Sequence, residues 1–596
     1  MRAAPASHAR AARVDFFPGL RRVARAAEES AMTQVFDEVI VGGGSAGCVL
    51  ANRLSADPSR RVLLVEAGVD TPPGNVPAAL LDSYPMALFH GERYIWPGLS
   101  ASTTRTSDGR TLSRAYEQAR VMGGGSSINV QAANRGLPRD YDTWAALGAK
   151  GWDWSGVLPY FRRLERDLDC NGPLHGAEGP IPIRRIKPQN FPPYAVAVTQ
   201  ALSASGLSMR LDQNGDFDDG LFPPAFSNEH DRRVSSAMGY LDAVVRARHN
   251  LEIRANARVV GLRFEGRRVV GVELERAGAR EVVRAGRVSL TAGALQSPAL
   301  LMRAGIGEGR TLAALGIDVV ADRPGVGRNL HDHPALTLCQ YLPRALRLPS
   351  SYRRASFVAM RYSSGIEGGS ASDMYLTASA RAGWHALGQR LSLFFLWCNQ
   401  PLSQGRVQLV SASANDYPKV DLNLLAERAD LQRMMQGVRQ LVRLAVCEAL
   451  NPNIDDLFPA GFTPAIKKLS AVTRRNALLT QVLGSMLDVP ASLRQQVLRR
   501  VMNGGRSLES VLGDDAQLEA FVRANVFGVW HASGTCRMGQ PGDPEAVVDP
   551  AGRVIGMENL YVADASVMPR LPSANTNIPT IMIAEKIAEG MLRAVR

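Results

Sequence analysis

Near the start of the chain, apolar positions come in short unbroken runs. Phe36 leads into Val39-Ile40-Val41 with no alternation of polar residues, the pattern of a strand buried on both faces. Gly42-Gly-Gly44-Ser45-Ala46-Gly47 follows at once. Cys48–Leu54 then reads as a helix, and Arg61–Glu66 as a second buried strand that ends in an acid. Similar runs recur at 288–292 and at Leu391–Cys398, and a helix over 581–591 closes the chain. No apolar run approaches the roughly 18 residues of a membrane-spanning helix, and no fixed-period repeat is visible. Pro464–Arg506 is patterned differently. Leu478, Leu479, Val482, Leu483, Met486 and Leu487 are spaced for one helical face. Around them stand eight basic residues, Lys467, Lys468, Arg474, Arg475, Arg494, Arg499, Arg500 and Arg506, against the single acid Asp488. The stretch predicts either a basic amphipathic helix for an anionic membrane or a solvated surface lid.

The first unit has the full context of a dinucleotide-binding fingerprint: strand, glycine turn, helix, strand, acid. Gly42 allows the tight turn, Gly44 keeps side chains away from a pyrophosphate, and Gly47 lets helix and strand pack closely. The N–H groups and dipole at the helix start attract phosphate. Glu66, 19 residues after Gly47, can accept from ribose hydroxyls. This unit alone does not choose between FAD and NAD.

Further blocks make that choice. Ala119-Arg120-Val121-Met-Gly123-Gly124-Gly-Ser126-Ser-Ile128-Asn129 is a second glycine-rich stretch suited to an anion nest. Gly293–Gly307 follows the strand at 288–292, and Gly325–His333 follows in turn. Trp530-His531-Ala-Ser-Gly-Thr-Cys536-Arg-Met538-Gly539, Asn559–Ser566 and Ala574-Asn575-Thr-Asn577 complete the series. In kind and order these blocks resemble the glucose–methanol–choline (GMC) oxidoreductase family over about residues 35–590. Ala304 departs from the serine of the second family signature.

The resemblance implies an α/β fold: a Rossmann-like FAD-binding domain, discontinuous in sequence, and an α+β substrate domain built on an antiparallel sheet. The expected division is an FAD-binding region over 35–335 with a substrate-domain insert at about 175–230. A mainly substrate-binding region follows over 336–524, including the basic insertion 464–506, and a C-terminal FAD-binding and catalytic segment over 525–596. Asp564 and Ala565 are expected at the flavin phosphate and ribityl chain. Ser45, Ala46, Ala67, Trp96, Arg120, Val121, Gly123, Gly124, Ser126, Asn129, Val130, Val259, Ala292, Gly293, Trp530 and Asn577 join the cofactor set. Some relatives bond their flavin to a histidine in the first signature. Here that position is Ile128, so FAD is expected to be non-covalent. His531 and Asn575 are expected at the reactive edge of the flavin. Neutral imidazole, with an ordinary pKa of about 6.5, suits a base for the hydroxyl proton while flavin N5 takes the hydride. Asn575 can hold the substrate oxygen without competing for the proton.

The implied function is oxidation of the CH–OH group of a small-molecule alcohol to an aldehyde or ketone, choline being one precedent, with oxygen or a quinone as electron acceptor. Two alternatives stand beside it: a family-related lyase or decarboxylase that uses bound FAD without net alcohol oxidation, and a non-catalytic flavin-binding protein. His331, Asp332 and His333 cannot easily converge on one ion from consecutive positions and are read as structural, as is His175. No metal site is expected. Cys536 could suggest a nucleophile beside His531, but the flavin frame explains the site without it.

Composition adds limits. The formal net charge of +13 could serve nucleic acid, but no zinc-finger spacing or RNA-recognition signature is present, and no nucleic-acid partner is expected. The six cysteines are scattered without a CxxC pair, which suits a reducing cytoplasmic setting, with peripheral contact at the inner membrane face as an extension of the amphipathic reading. Residues 1–31 lack core periodicity and read as a disordered or artefactual extension, with Met32 an alternative start.

Overall fold

The computed structural model describes residues 35–594 apart from 107, 350, 461–463 and 502–507. The extension expected over 1–31 lies outside the described residues. Val35–Val41 forms the first strand, buried at Phe36 and from Glu38 to Val41. It pairs in parallel with Val62–Val65 on one side and with Ala279–Leu290 on the other. Leu251–Arg254 adds a parallel strand beyond Val62–Val65. The long strand Ala279–Leu290 uses one edge twice. Its first half pairs antiparallel with Arg268–Arg276 and its second half pairs in parallel with Leu560–Val562. A strand near the C-terminus thus completes the sheet begun at residue 35. Because parallel strands are covered on both faces, they read in the sequence as unbroken apolar runs.

Helices Ser45–Leu54 and Asn577–Arg593 pack together against this sheet. A buried carboxylate ties them: Glu585 accepts from Arg53 at 2.7 Å and from the Tyr240 hydroxyl at 2.7 Å.

The second sheet is antiparallel, in the order Leu457–Pro459, Pro334–Tyr341, Leu391–Cys398, Met374–Ser379, Ser356–Tyr362, Gly220–Phe222. Side chains alternate across it. Phe394, Leu396 and Cys398 belong to the main core, where helix Arg428–Ala445 packs on their strand. Phe395 and Trp397 point to the opposite face and join Tyr375, Ala359 and Ala335. Phe527–Gly528 pairs with Pro334–Ala335, so both the 335/336 and the 524/525 boundaries cut through this sheet.

The basic insertion is not one helix. It forms three, Pro464–Ser470, Arg474–Ser485 and Ala491–Val501. Thr473 starts the second by accepting from Asn476 N, and Pro490 precedes the third. The expected single apolar face is split. Leu487 is buried and Leu483 half-buried, whereas Leu478, Leu479, Val482 and Met486 are exposed. Among the described bases, Lys467 pairs with Glu117, and Arg494 with Asp456 at 2.7 Å. The acid Asp488 holds Arg347 and, at 3.0 Å, Arg390. The side chains of Arg499, Arg500 and Arg506 lie outside the described residues.

Candidate active site

Two glycine turns meet back to back at the carboxyl ends of the parallel strands. Gly123 N donates to Gly43 O at 2.7 Å. A Cβ on Gly124 would come within 2.7 Å of Gly44 Cα, and one on Gly47 within 1.9 Å of Gly42 O. Helix Ser45–Leu54 starts from Gly44 with no side-chain cap, so its first N–H groups are available to an anion. Ser45 Oγ donates to Asn577 Oδ1 at 2.7 Å, which brings the start of the closing helix to the same point. Ala46 is buried beneath this junction.

The other expected cofactor residues divide into groups. Glu66 accepts from Gly43 N at 2.8 Å and Gly68 N at 2.7 Å, so it also braces the turn. Each of its oxygens keeps a second lone pair for a hydroxyl donor. Burial raises its pKa against the pull of those N–H groups. Asp564 accepts from Gly293 N at 2.8 Å, Ser297 Oγ at 2.6 Å and Ser566 N at 2.9 Å. It thereby joins Ala292-Gly293 to the turn that begins at Ala565. Arg120 donates to Ala67 O at 3.2 Å and lies 4.8 Å over the Trp96 ring, near Arg258 and the buried Val259. Val121 is fully buried among apolar neighbours, so only its backbone faces the turn. Val130 is exposed. Ser126 Oγ donates to Gly123 O and accepts from Ser236 N.

Behind Ser126–Asn129 sits a residue that the sequence reading missed. Arg233 is 1% exposed and donates to Leu80 O, Ser126 O and both oxygens of Asn129, all neutral acceptors. Burial lowers its pKa to about 9. An uncapped helix start, glycine turns, a ribose-type acid and a buried cation without an acid in contact fit an anionic dinucleotide such as FAD.

His531 and Asn575, the pair expected at the reactive edge, come into contact. His531 Nε2 lies 3.1 Å from Asn575 Nδ2, and His531 Nδ1 lies 2.8 Å from His333 Nδ1. His333 Nε2 lies 3.0 Å from Asn399 O, which can only accept. The proton order follows along this chain. His333 donates from Nε2, so its Nδ1 is an acceptor. His531 must then donate from Nδ1, which leaves the Nε2 lone pair facing Asn575. Burial, and secondarily His333, holds the His531 pKa well below the ordinary histidine value. Burial holds His333 down to about 3. His531 is therefore held in its neutral form, not poised near the ordinary histidine value.

The uniform structural reading of 331–333 is corrected by these contacts. His331, also lowered to about 3 by burial, has Nε2 at 3.1 Å from Asn329 Oδ1 and remains structural. Asp332 accepts from Val529 N and His531 N at 3.1 and 3.0 Å and from the Tyr116 hydroxyl at 2.6 Å; burial pushes it up to about 7. His333 contacts the His531 ring through Nδ1. A single chain offers no signal separating these three roles, because strand alternation and distant partners assign them. Trp530 gives its indole N–H to Glu117 at 2.9 Å, away from the glycine turns. Cys536 is fully buried and its thiol is pushed far up by burial, which leaves no thiolate beside His531.

An aromatic wall runs from the second sheet to this point. Tyr375 stacks on Trp397 at 4.3 Å. Trp397 meets Phe395 at 5.5 Å, Phe395 meets Phe527 at 5.6 Å, and Phe527 meets Trp530 at 5.9 Å. The Arg114 guanidinium lies 5.1 Å over the Phe527 ring.

Comparison with known proteins agrees with this geometry. The N-terminal model of the family described as GMC oxidoreductase matches residues 36–335 and the C-terminal model residues 401–584. The chain is 45% identical to the 5-(hydroxymethyl)furfural oxidase of Methylovorus sp., covering 94% of this chain and 99% of that protein. It is 33% identical to human mitochondrial choline dehydrogenase, covering 96% and 92%. The crystal structure of pyridoxine 4-oxidase from Mesorbium loti superposes with a TM-score of 0.75 at 26% identity, covering 94% and 99%.

Proposed function

The chain belongs to the GMC oxidoreductase family, and from that premise we propose how its site works and on what. It is an FAD-dependent enzyme that oxidises the CH–OH group of an alcohol, as the relatives named for such reactions do. The lyase and non-catalytic alternatives find no support among them. Bound FAD supplies the acceptor for the carbon-bound hydride. His531 Nε2 takes the hydroxyl proton, Asn575 donates a hydrogen bond to the substrate oxygen, and His333 fixes the tautomer. The relay of Asn399 O, His333, His531 and Asn575 carries this reading, since it aims a neutral nitrogen and an amide donor at one place. Glycine turns and the uncapped helix start hold the pyrophosphate, and the flavin is non-covalent because Ile128 cannot bond it. Acid precipitation should release yellow FAD into the supernatant.

The substrate we propose is a flat aromatic or furanic primary alcohol. The aromatic wall supports this, as does the 45% identity to an oxidase named for a furan alcohol. Arg114 over Phe527 disfavours a quaternary ammonium such as choline. Oxygen is the proposed acceptor. Under anaerobic conditions a furanic alcohol should bleach the flavin within the turnover time and choline should not, and air should then yield hydrogen peroxide. Bleaching by choline alone would overturn the substrate class, and no bleaching by any alcohol would overturn the reaction.

A second reading concerns location. The free cysteines suit a reducing cytoplasm, and no described helix is long and apolar enough to cross a membrane. Leu478, Leu479, Val482 and Met486 form an outward apolar stripe beside the exposed Lys468, Arg474 and Arg475. That pairing fits an anionic bilayer at the inner face of the membrane, where a quinone could replace oxygen. Each base adds about 1 kcal/mol near such a surface, screened within a Debye length. Co-sedimentation with anionic but not neutral vesicles at low salt, reversed at high salt, is the expected result. Equal recovery in the supernatant with both would leave a surface lid.

A further inference from the structure

We infer that Lys467 is a positioning residue for the oxidation: reaching from the inserted helices, it acts through Glu117 to hold the Trp530 turn that aims His531. The inference rests on His531 being the base. Trp530 has φ +61°, a left-handed conformation that a bulky side chain adopts only when its surroundings enforce it. The enforcement is visible on both flanks. Asp332 Oδ1 accepts from the N–H groups of Val529 and His531, the residues on either side of Trp530. The Trp530 indole donates to Glu117 Oε2 at 2.9 Å. Tyr116, next to Glu117, donates to the other oxygen of Asp332. Two adjacent residues therefore brace the catalytic turn through two carboxylates.

Glu117 is 7% exposed, and its second oxygen takes the Lys467 ammonium. Without that cation the carboxylate would keep the Trp530 indole and would draw in water or the Arg114 guanidinium, which lines the same small pocket with Phe527, Trp530 and Ala101, and either would shift its grip on the indole. Lys467 belongs to Pro464–Ser470, a helix that is itself docked. The Trp384 indole donates to Ser470 O at 2.7 Å, and His385 Nε2 lies 3.3 Å from Ser470 Oγ. Docking of the insertion is thus coupled to the backbone that presents the base. This gives the basic stretch a part in turnover that is separate from its outward apolar stripe, which lies on the next helix.

The test is a double-mutant cycle in kcat on the FAD-loaded full chain, using Lys467→Met, Glu117→Gln and both together. Lys467→Met should lower kcat about 3- to 30-fold with little change in KM. The double variant should lose no more than Glu117→Gln alone, and Lys467→Arg should restore most of the rate. Lys468→Met, at the exposed neighbour, should match the wild type. Additive losses, or an unchanged kcat in Lys467→Met, would overturn the relay. Should Lys467→Met fail to fold, Lys467→Arg against Lys467→Gln in an otherwise intact insertion gives the same comparison. Failure of the base reading would appear separately, as retained turnover in His531→Ala with Lys467 intact.

Discussion

His175 is buried and His531 is half-buried at its site, and the two regions treat the same side chain in opposite ways. His175 sits in a nest of acids, with Nε2 2.8 Å from Asp212 Oδ2 and Nδ1 3.2 Å from both Glu165 Oε1 and Asp167 Oδ2. Arg135 pairs with Glu165 at 2.7 Å, and Arg185 with Asp167 at 2.8 Å and Asp212 at 3.0 Å. Burial opposes the imidazolium, but bonds to Asp167, Asp212 and Glu165 outweigh it and raise His175 to about 10. Asp167, the acid that could serve a cation with Cys170 and His175, is thus already matched by fixed charge. His531 has no carboxylate against its ring. Its partners are a second imidazole and an amide, and burial lowers its pKa unopposed. Asp332 is close, yet it spends its oxygens on backbone N–H groups and a tyrosine rather than on either ring. Burial alone therefore does not decide what a histidine does here. The acids touching its ring do, and they separate a cation that braces the fold from a neutral ring with a free nitrogen, as the proposed base requires.

The sharpest way to break this contrast is to remove each ring. His531→Ala should keep FAD and lose about 10²–10⁴-fold in kcat, the usual worth of a positioned base. His175→Ala should leave kcat within a few-fold but lose about 3–5 kcal/mol of stability, because three acids then face two arginines. Denaturant unfolding and steady-state rates on both variants check this, and exchanged phenotypes would break it.

A smaller effect is expected at His333. His333→Ala removes the acceptor that keeps the His531 proton on Nδ1, so kcat should fall about 10- to 100-fold while substrate binding changes little. An unaltered kcat would mean that the tautomer is set elsewhere.

The smallest effect is in the pH dependence of stability, where the two regions should have opposite signs. The raised pKa of His175 makes its contribution full below about 6.5 and lost as the pH rises towards about 10. The cost of His175→Ala should therefore shrink from pH 7 to pH 9. His333 is held neutral down to about 3, so below about 6.5 the unfolded chain takes up a proton that the fold does not. The cost of His333→Phe should therefore shrink in the other direction, by roughly 1.4 kcal/mol per unit on going from pH 6.5 towards pH 5. Denaturant midpoints across pH 5–9 measure both slopes, and slopes of the same sign would remove the distinction.

What could be read from the sequence was local. The entrance from Val35 to Glu66 holds its own instructions. A doubly buried parallel strand must be an unbroken apolar run, a turn that lets Gly47 approach Gly42 O needs glycine, and the acid follows at the end of the next strand. His531 and Asn575 were legible only because their flanking blocks follow a family order. Their contact at 3.1 Å, 44 positions apart, carries no periodic signal. The insertion shows where local reading fails. Spacing placed Leu487 on the same face as Leu478, but the helix ends at Ser485 with Met486 as its C-cap, so Leu487 leaves the helical register, and packing then buried one leucine and left the other exposed.

The sequence alone determined the dinucleotide-binding fingerprint at the start of the first helix, since every group it requires lies within one strand–turn–helix–strand unit. Only the tertiary structure decided which nitrogen of His531 is free, that His333 rather than His331 contacts it, and that Lys467 reaches Glu117. These contacts join residues 198 and 350 positions apart in the chain. Hydrogen-bond roles of this kind depend on distances of a few tenths of an ångström, which are set by how the sheets pack and not by the spacing of residues along the chain.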